Sequence, residues 1–406
     1  MRRFGPALLG ALAAALLLAA TASAHAQVVR LDPAPGQLNA VPAFVSIAFS
    51  EPVTPFGHGI DVFAPDGRLV SGTAARRGLD ATTLVAPIAG SQSLPEGTYL
   101  VEWRIVAQDT HPSRGSYTFS VGRPSPAPSG EVVAGDLGAV APLGLFLQAL
   151  ARWLHFLGFA LSFGVLTFLV LVLRELQPPL RLRRLVYLGI ALLIVAEPIA
   201  LVAQAASLGT IDSPSLADVL GSAFGRVLAL RLAAALVLWV ILGAPAEALG
   251  AGIPAVLVLG ALLAGVDGLS GHTIRGFPLA ASALLTAVHE AAMAVWVGGL
   301  VAVLAVIGGV PDQRALVERF GRVAAVSVGL LVVSGGVLAL AHLRAPADLL
   351  FSAYGLTLAC KALAVAAALG LAWKGLRALR SGRPEMLALA GVLALAALLA
   401  SLPPPR

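Results

Sequence analysis

Charge is what this sequence has least of. Asp, Glu, Lys and Arg supply 12% of its 406 residues, against 58% hydrophobic, whereas an ordinary soluble domain is about a quarter charged. With a mean hydropathy of +0.90, the chain reads as an integral membrane protein. Cysteine is almost missing: Cys360 stands alone within a hydrophobic run, which excludes an intramolecular disulfide and any cysteine-based zinc site. Methionine is limited to three, Met1 included, too few for a thioether-rich soft-metal cradle. No Gly-x-x-x-x-Gly-Lys-Ser/Thr loop occurs, so nothing supports ATP-driven pumping. The formal charge of +6 comes mostly from arginines dispersed between apolar runs. They read as loop charges that set membrane orientation, and no nucleic-acid partner is expected.

What is present divides the chain. Residues 1–24 carry Arg2 and Arg3, an apolar run from about Ala7 to Ala20, and Ala22-Ser23-Ala24, the pattern of a signal peptide. Cleavage after Ala24 makes His25 the first exported residue; the overlapping Ala24-His25-Ala26 would discard it. We place the cut before His25. Residues 25–122 read as an all-β domain, with strand candidates at Val41–Ser50, Ile60–Ala64, Thr82–Ala86, Thr98–Ala107 and Ser116–Val121, broken by Pro65-Asp66-Gly67, Pro95-Glu96-Gly97 and a Pro112–Gly115 turn. Residues 123–142, with Pro124, Pro126 and Pro128, read as a linker.

Residues 143–406 form an all-α polytopic bundle of eight apolar runs at about 143–173, 183–208, 223–243, 250–267, 280–309, 317–343, 353–375 and 385–402, each long enough to span a bilayer. With the mature N-terminus exported, the loops after runs one, three, five and seven are cytoplasmic. Those after runs one, five and seven hold Arg174, Arg181, Arg183 and Arg184; Arg314, Arg319 and Arg322; and Lys374, Arg377, Arg380 and Arg383, in keeping with the positive-inside rule. The expected location is a bacterial inner membrane, with the β-domain on its periplasmic side and lipid as a partner.

Asp109 and His111 stand two apart, so on an extended strand both side chains leave by one face and grip one ion. His25 adds an imidazole and, after cleavage, its α-amine. This nitrogen and oxygen set suits tetragonal Cu(II), although zinc accepts the same ligands. The signal-cleaved His25, Ser50-Glu51-Pro52-Val53, Pro65-Asp66-Gly67, and Gly97-Thr-Tyr99-Leu-Val101-Glu-Trp103 leading into Asp109-Thr-His111-Pro112, Gly115 and Phe119-Ser-Val121 together resemble CopC, the periplasmic copper-binding family. The resemblance implies a cupredoxin-like, Ig-like Greek-key barrel with a Cu(II) site at His25, Asp109 and His111. His58 reads as a solvated loop histidine.

The membrane half is similar to CopD, through Arg152-Trp153-Leu-His155-Phe-Leu-Gly158, Ser270-Gly271-His272 and His289-Glu290-Ala-Ala-Met293-Ala-Val-Trp296-Val-Gly298-Gly299. The order looks like a CopC–CopD fusion. Ionisable residues inside membrane helices are costly and point to function. His155, His272, His289 and His342 fall toward the outer side, and His289, Met293 and Trp296 share a helix face by spacing. These residues make a candidate copper path through His155, His272, His289 and Met293. Glu197 and Arg231 are expected to pair, and Glu290 to assist a proton or cation step. The expected function is capture of Cu(II) on the exported domain and passage of copper to or across the membrane, inward. Periplasmic copper chaperones are candidate partners, and no enzymatic activity is expected. Two rivals are a haem module that reduces the bound Cu(II) through paired histidines, and passive sequestration. A copper monooxygenase ranks below both, because Asp109 would occupy the position oxygen needs.

Overall fold

The computed structural model describes the chain except residues 1–25, 79, 108–111, 131–140, 176–177, 210, 244–245, 271–276, 344, 378–382 and 403–406. Two compact units emerge, Ala20–Leu145 with Val202–Ala223, and Phe146–Leu201 with Phe224–Arg406.

The first unit holds the strands β1 (Val28–Asp32), β2 (Gln37–Leu38), β3 (Phe44–Phe49), β4 (Val53–Phe63), β5 (Arg76–Arg77), β6 (Thr83–Pro87), β7 (Gly97–Ala107) and β8 (Pro112–Val121). They form two four-stranded sheets, ordered β1-β3-β6-β5 and β2-β8-β7-β4. Strand periodicity explains the core. Alternate residues Val45, Ile47 and Phe49 of β3, and Tyr99, Val101, Trp103 and Ile105 of β7, are all buried in one apolar cluster. Tyr99 stacks on Phe119 with ring centroids 5.2 Å apart and donates its hydroxyl to the Pro95 carbonyl at 2.6 Å. Burial holds its phenol above the usual tyrosine range.

Three details correct the sequence reading. The Pro112–Gly115 segment is the start of β8, with Pro112 opposite Val106 and Gly115 opposite Trp103. Proline is tolerated there because a first strand residue need not donate to the ladder. His58 lies in β4 beside a break in its pairing with β7, and its Nδ1 sits 3.0 Å from Asp61 Oδ1. The first part of the expected linker is docked: Thr98 donates its amide to Ser125 Oγ at 2.9 Å and its hydroxyl to the Ser125 carbonyl at 2.6 Å.

Eight helices among the described residues are long and apolar enough to cross a membrane, in agreement with the eight expected runs. They are α1 (Pro142–Leu173), α2 (Leu180–Ser207), α3 (Ala223–Leu242), α4 (Ala246–Ser270), α5 (Leu279–Val306), α6 (Gln313–His342), α7 (Ala353–Arg377) and α8 (Arg383–Ser401). A short helix, Ser213–Gly221, lies between α2 and α3 and is capped by Asp212, which accepts from the Ser215 amide. Ser215's hydrogen bonds hold the Asp212 carboxyl below its usual range. Helix α1 is not uniform: residues Ala160–Gly164 and Leu169–Leu173 wind as π turns.

Candidate metal centre

Five membrane helices bring one ionisable side chain each to a common point. His155 comes from α1, Glu197 from α2, Arg231 from α3, Asp267 from α4 and Glu290 from α5. His155, Glu197, Asp267 and Glu290 are all less than a tenth exposed.

Small residues make this convergence possible. A Cβ on Gly158 would press on the Gly189 carbonyl, and one on Gly189 would meet the Gly158 carbonyl, so α1 and α2 cross at backbone distance. Gly164 and Gly298 do the same for α1 and α5, and Gly268 lies against the Ala283 carbonyl, drawing α4 to α5. Without a hydrophobic drive between helices in lipid, such close backbone packing is what holds them together. Arg152 and Trp153 fasten the same stretch of α1 to α8, donating to Ser401 Oγ at 2.7 Å and to the Ala390 carbonyl at 3.1 Å. His155, two to three residues on, is thereby turned toward the interior.

The geometry is that of an imidazole ringed by carboxylates. His155 Nδ1 lies 3.4 Å from Glu197 Oε1, while Nε2 lies 3.0 Å from Asp267 Oδ2 and 3.6 Å from Glu290 Oε1. Arg231 grips the far oxygen of Asp267, with Nε and Nη2 both 2.5 Å from Oδ1. Arg231 therefore pairs with Asp267, not with Glu197 as expected, and Glu197 serves the histidine. Two acceptors in the cluster, Glu197 Oε2 and Glu290 Oε1, are buried with no hydrogen-bond partner among the described residues. His155, Asp267 and Glu290 each offer a ligand atom, and these atoms lie within 4.8 Å of one another.

The other candidates distribute differently. His25, Asp109, His111 and His272 lie outside the described residues. His289 faces α6: Ser334 gives its hydroxyl proton to the Leu330 carbonyl, so His289 Nδ1, 2.9 Å away, is the donor to Ser334 Oγ, and Nε2 carries the lone pair. Gly335 makes room for this ring. Met293 is half-buried against the helical core, and Trp296 is buried in it. His289 and Glu290 are consecutive on α5, so they leave the helix about 100° apart, one toward Ser334 and the other toward His155. Asp267 was missed in the sequence because it closes the expected run 250–267, at its edge. The signal was an acid three residues before the end of a long hydrophobic helix.

The comparisons with known proteins divide the chain at the same place. A CopC domain matches residues 28–122, and a copper resistance protein D-like N-terminal domain matches residues 143–276. Copper resistance protein C of Pseudomonas syringae pv. tomato is 41% identical over 115 residues, covering 27% of this chain and 90% of that protein. Protein YobA of Escherichia coli K12 is 36% identical over 100 residues, covering 24% of this chain and 79% of that protein. Copper transport protein CutJ of Bacillus subtilis is 27% identical over 367 residues, covering 85% of this chain and 66% of its own length.

Proposed function

The chain belongs to the copper-resistance proteins as a CopC–CopD fusion, and from this premise we propose that its β-domain is exported, captures Cu(II), and passes copper to the membrane domain for movement inward. The proposed ligands on the β-domain are the α-amine and imidazole of His25 with Asp109 and His111.

One observation supports that grouping. At a single end of the β-sandwich, Val28 of β1 stands opposite Phe49, Val53 of β4 opposite Ala107, and Val106 of β7 opposite Pro112. Ala26, next to His25, is buried in the core at 1% exposure. Gln27 exchanges hydrogen bonds with Ser50, its amide donating to Ser50 Oγ at 3.0 Å and its carbonyl accepting from the Ser50 amide at 2.8 Å. The strand that follows His25 and the strands that flank Asp109 and His111 therefore share that end. An N,O donor set of this kind favours Cu(II) over Cu(I). In the membrane half, His289 with Nε2 uncommitted, Met293 one turn on, and His272 are proposed as further stations. The arginine distribution supports the orientation of the helices, and the inward direction rests on the resemblance and on donor groups that lie toward the exported side. His155, Arg231 and Glu290 lie in the first halves of α1, α3 and α5, and Glu197 and Asp267 in the second halves of α2 and α4, the ends on the exported side.

The test is the mature N-terminus by mass spectrometry together with Cu(II) titration of the full-length protein. Cleavage before His25 with tight Cu(II) binding, weakened in His111→Ala, is the expected result. A chain beginning at Gln27 that binds Cu(II) as tightly would overturn the ligand assignment, and cytoplasmic copper unchanged by deletion under copper limitation would overturn import.

A further inference from the structure

We propose that His155, Asp267 and Glu290 form a second copper(II) site, buried among the membrane helices and built from one imidazole and two carboxylates. The inference rests on the copper reading above, and it names an oxidation state and a ligand set for the membrane half.

The distances suit a bound ion. Metal–nitrogen and metal–oxygen bonds run about 2.0–2.2 Å, so neighbouring ligand atoms on one ion stand about 2.8–3.6 Å apart. Nε2 of His155 is 3.0 Å from Asp267 Oδ2 and 3.6 Å from Glu290 Oε1. The supports lie behind the ligands. Glu197 lies 3.4 Å from His155 Nδ1, the position from which a carboxylate fixes a metal-binding imidazole and raises its basicity. Arg231 holds Asp267 through Oδ1, leaving Oδ2 to the site.

Charge balance points the same way. Three carboxylates, each less than a tenth exposed, face one guanidinium, and uncompensated buried charge is expensive. One of the two cluster oxygens without a hydrogen-bond partner among the described residues, Glu290 Oε1, belongs to a side chain 7% exposed and lies 3.6 Å from His155 Nε2. A divalent ion would supply both the missing partner and the missing charge. The donors are nitrogen and oxygen with no sulfur, which suits borderline divalent ions, copper(II) above the others in the series, and not Cu(I). On this geometry copper enters the membrane half without first being reduced. Three protein ligands leave at least one coordination position open, as a site that must release its ion requires.

The full-length protein in detergent micelles is equilibrated with copper(II) sulfate, desalted, and measured for copper per chain and by electron paramagnetic resonance. The expected result is two Cu(II) in the native protein, one in Glu290→Gln, one in His111→Ala, and none when the two changes are combined. In His111→Ala the remaining signal should couple to a single imidazole nitrogen, a reading taken on an unaltered membrane domain and thus independent of how Glu290→Gln folds. Glu290→Gln that retains the native copper count, or His111→Ala that holds no Cu(II), would overturn the membrane site while leaving copper capture by the β-domain intact. Native protein that binds no copper at all would overturn both.

Discussion

Replacing Arg231 by methionine removes the guanidinium that grips the Asp267 carboxylate. Two unit charges 2.5 Å apart, the separation of the Arg231 nitrogens from Asp267 Oδ1, attract by about 6–7 kcal/mol at an effective dielectric of about 20. Desolvation of both groups cancels most of that gain, so the intact pair contributes little net stability. Removing one partner strands the other, and for a side chain as buried as Asp267 this costs about 3–5 kcal/mol. The two single changes should not be equal. Asp267→Asn leaves Arg231 with Glu197 and Glu290 close by in the same cluster, so its cost should be the smaller. The double variant should be far less destabilised than the sum of the singles, with a coupling of at least about 2 kcal/mol. The assay is denaturant unfolding of the full-length protein in mixed micelles, followed by tryptophan fluorescence. Additive costs would refute the reasoning, because they would mean that the two side chains do not compensate each other.

Two further predictions concern the parts that hold the sites in place. Tyr99→Phe removes the hydroxyl that reaches the Pro95 carbonyl while keeping the stack on Phe119. It should cost about 1 kcal/mol, read as roughly five-fold faster amide hydrogen exchange along β7 in the full chain; unchanged exchange would show that the bond adds nothing. Gly298→Val should wedge α5 away from α1, since its Cβ would fall on the Ala160 carbonyl. The protein should then bind one copper fewer, as in Glu290→Gln, although no ionisable group has been touched. A native copper count in a folded Gly298→Val protein would show that close packing of these helices does not position the ligands.

The membrane half was legible because its signal is long. A run of 18 or more apolar residues has few other readings, and all eight appear in place. The β-domain was legible where strands were long enough to show alternation. β2 and β5, two residues each, are set by their neighbours and carry no pattern of their own. β8 was read short because Pro112, Ser113 and Gly115 resemble turn chemistry, and the pairing with β7 overrides it. In the membrane cluster, sequence located His155, Glu197, Arg231 and Glu290 as buried charges but paired Glu197 with Arg231, where the fold pairs Arg231 with Asp267. Pairing depends on how each helix is rotated and which helices adjoin, and neither leaves a local trace. The i, i+4, i+7 rule grouped His289, Met293 and Trp296 on one face, yet neighbouring helices gave His289 to Ser334 and Trp296 to the core.

The π turns of α1 have a consequence for how the histidine is aimed. Each π turn holds an extra residue, and one residue is about 100° of helix rotation. Ala160–Gly164 lies between His155, which faces the carboxylates, and Val165–Phe168, whose Val165, Leu166 and Phe168 are packed in the core. The two stretches of α1 are thus out of phase with each other by design of length, not of side-chain chemistry. A chain shortened by one residue in this turn would keep every ligand, every glycine and every apolar contact type, and would still point His155 away from Asp267 and Glu290. The site is therefore encoded partly as a residue count, which no inspection of individual ligands would detect.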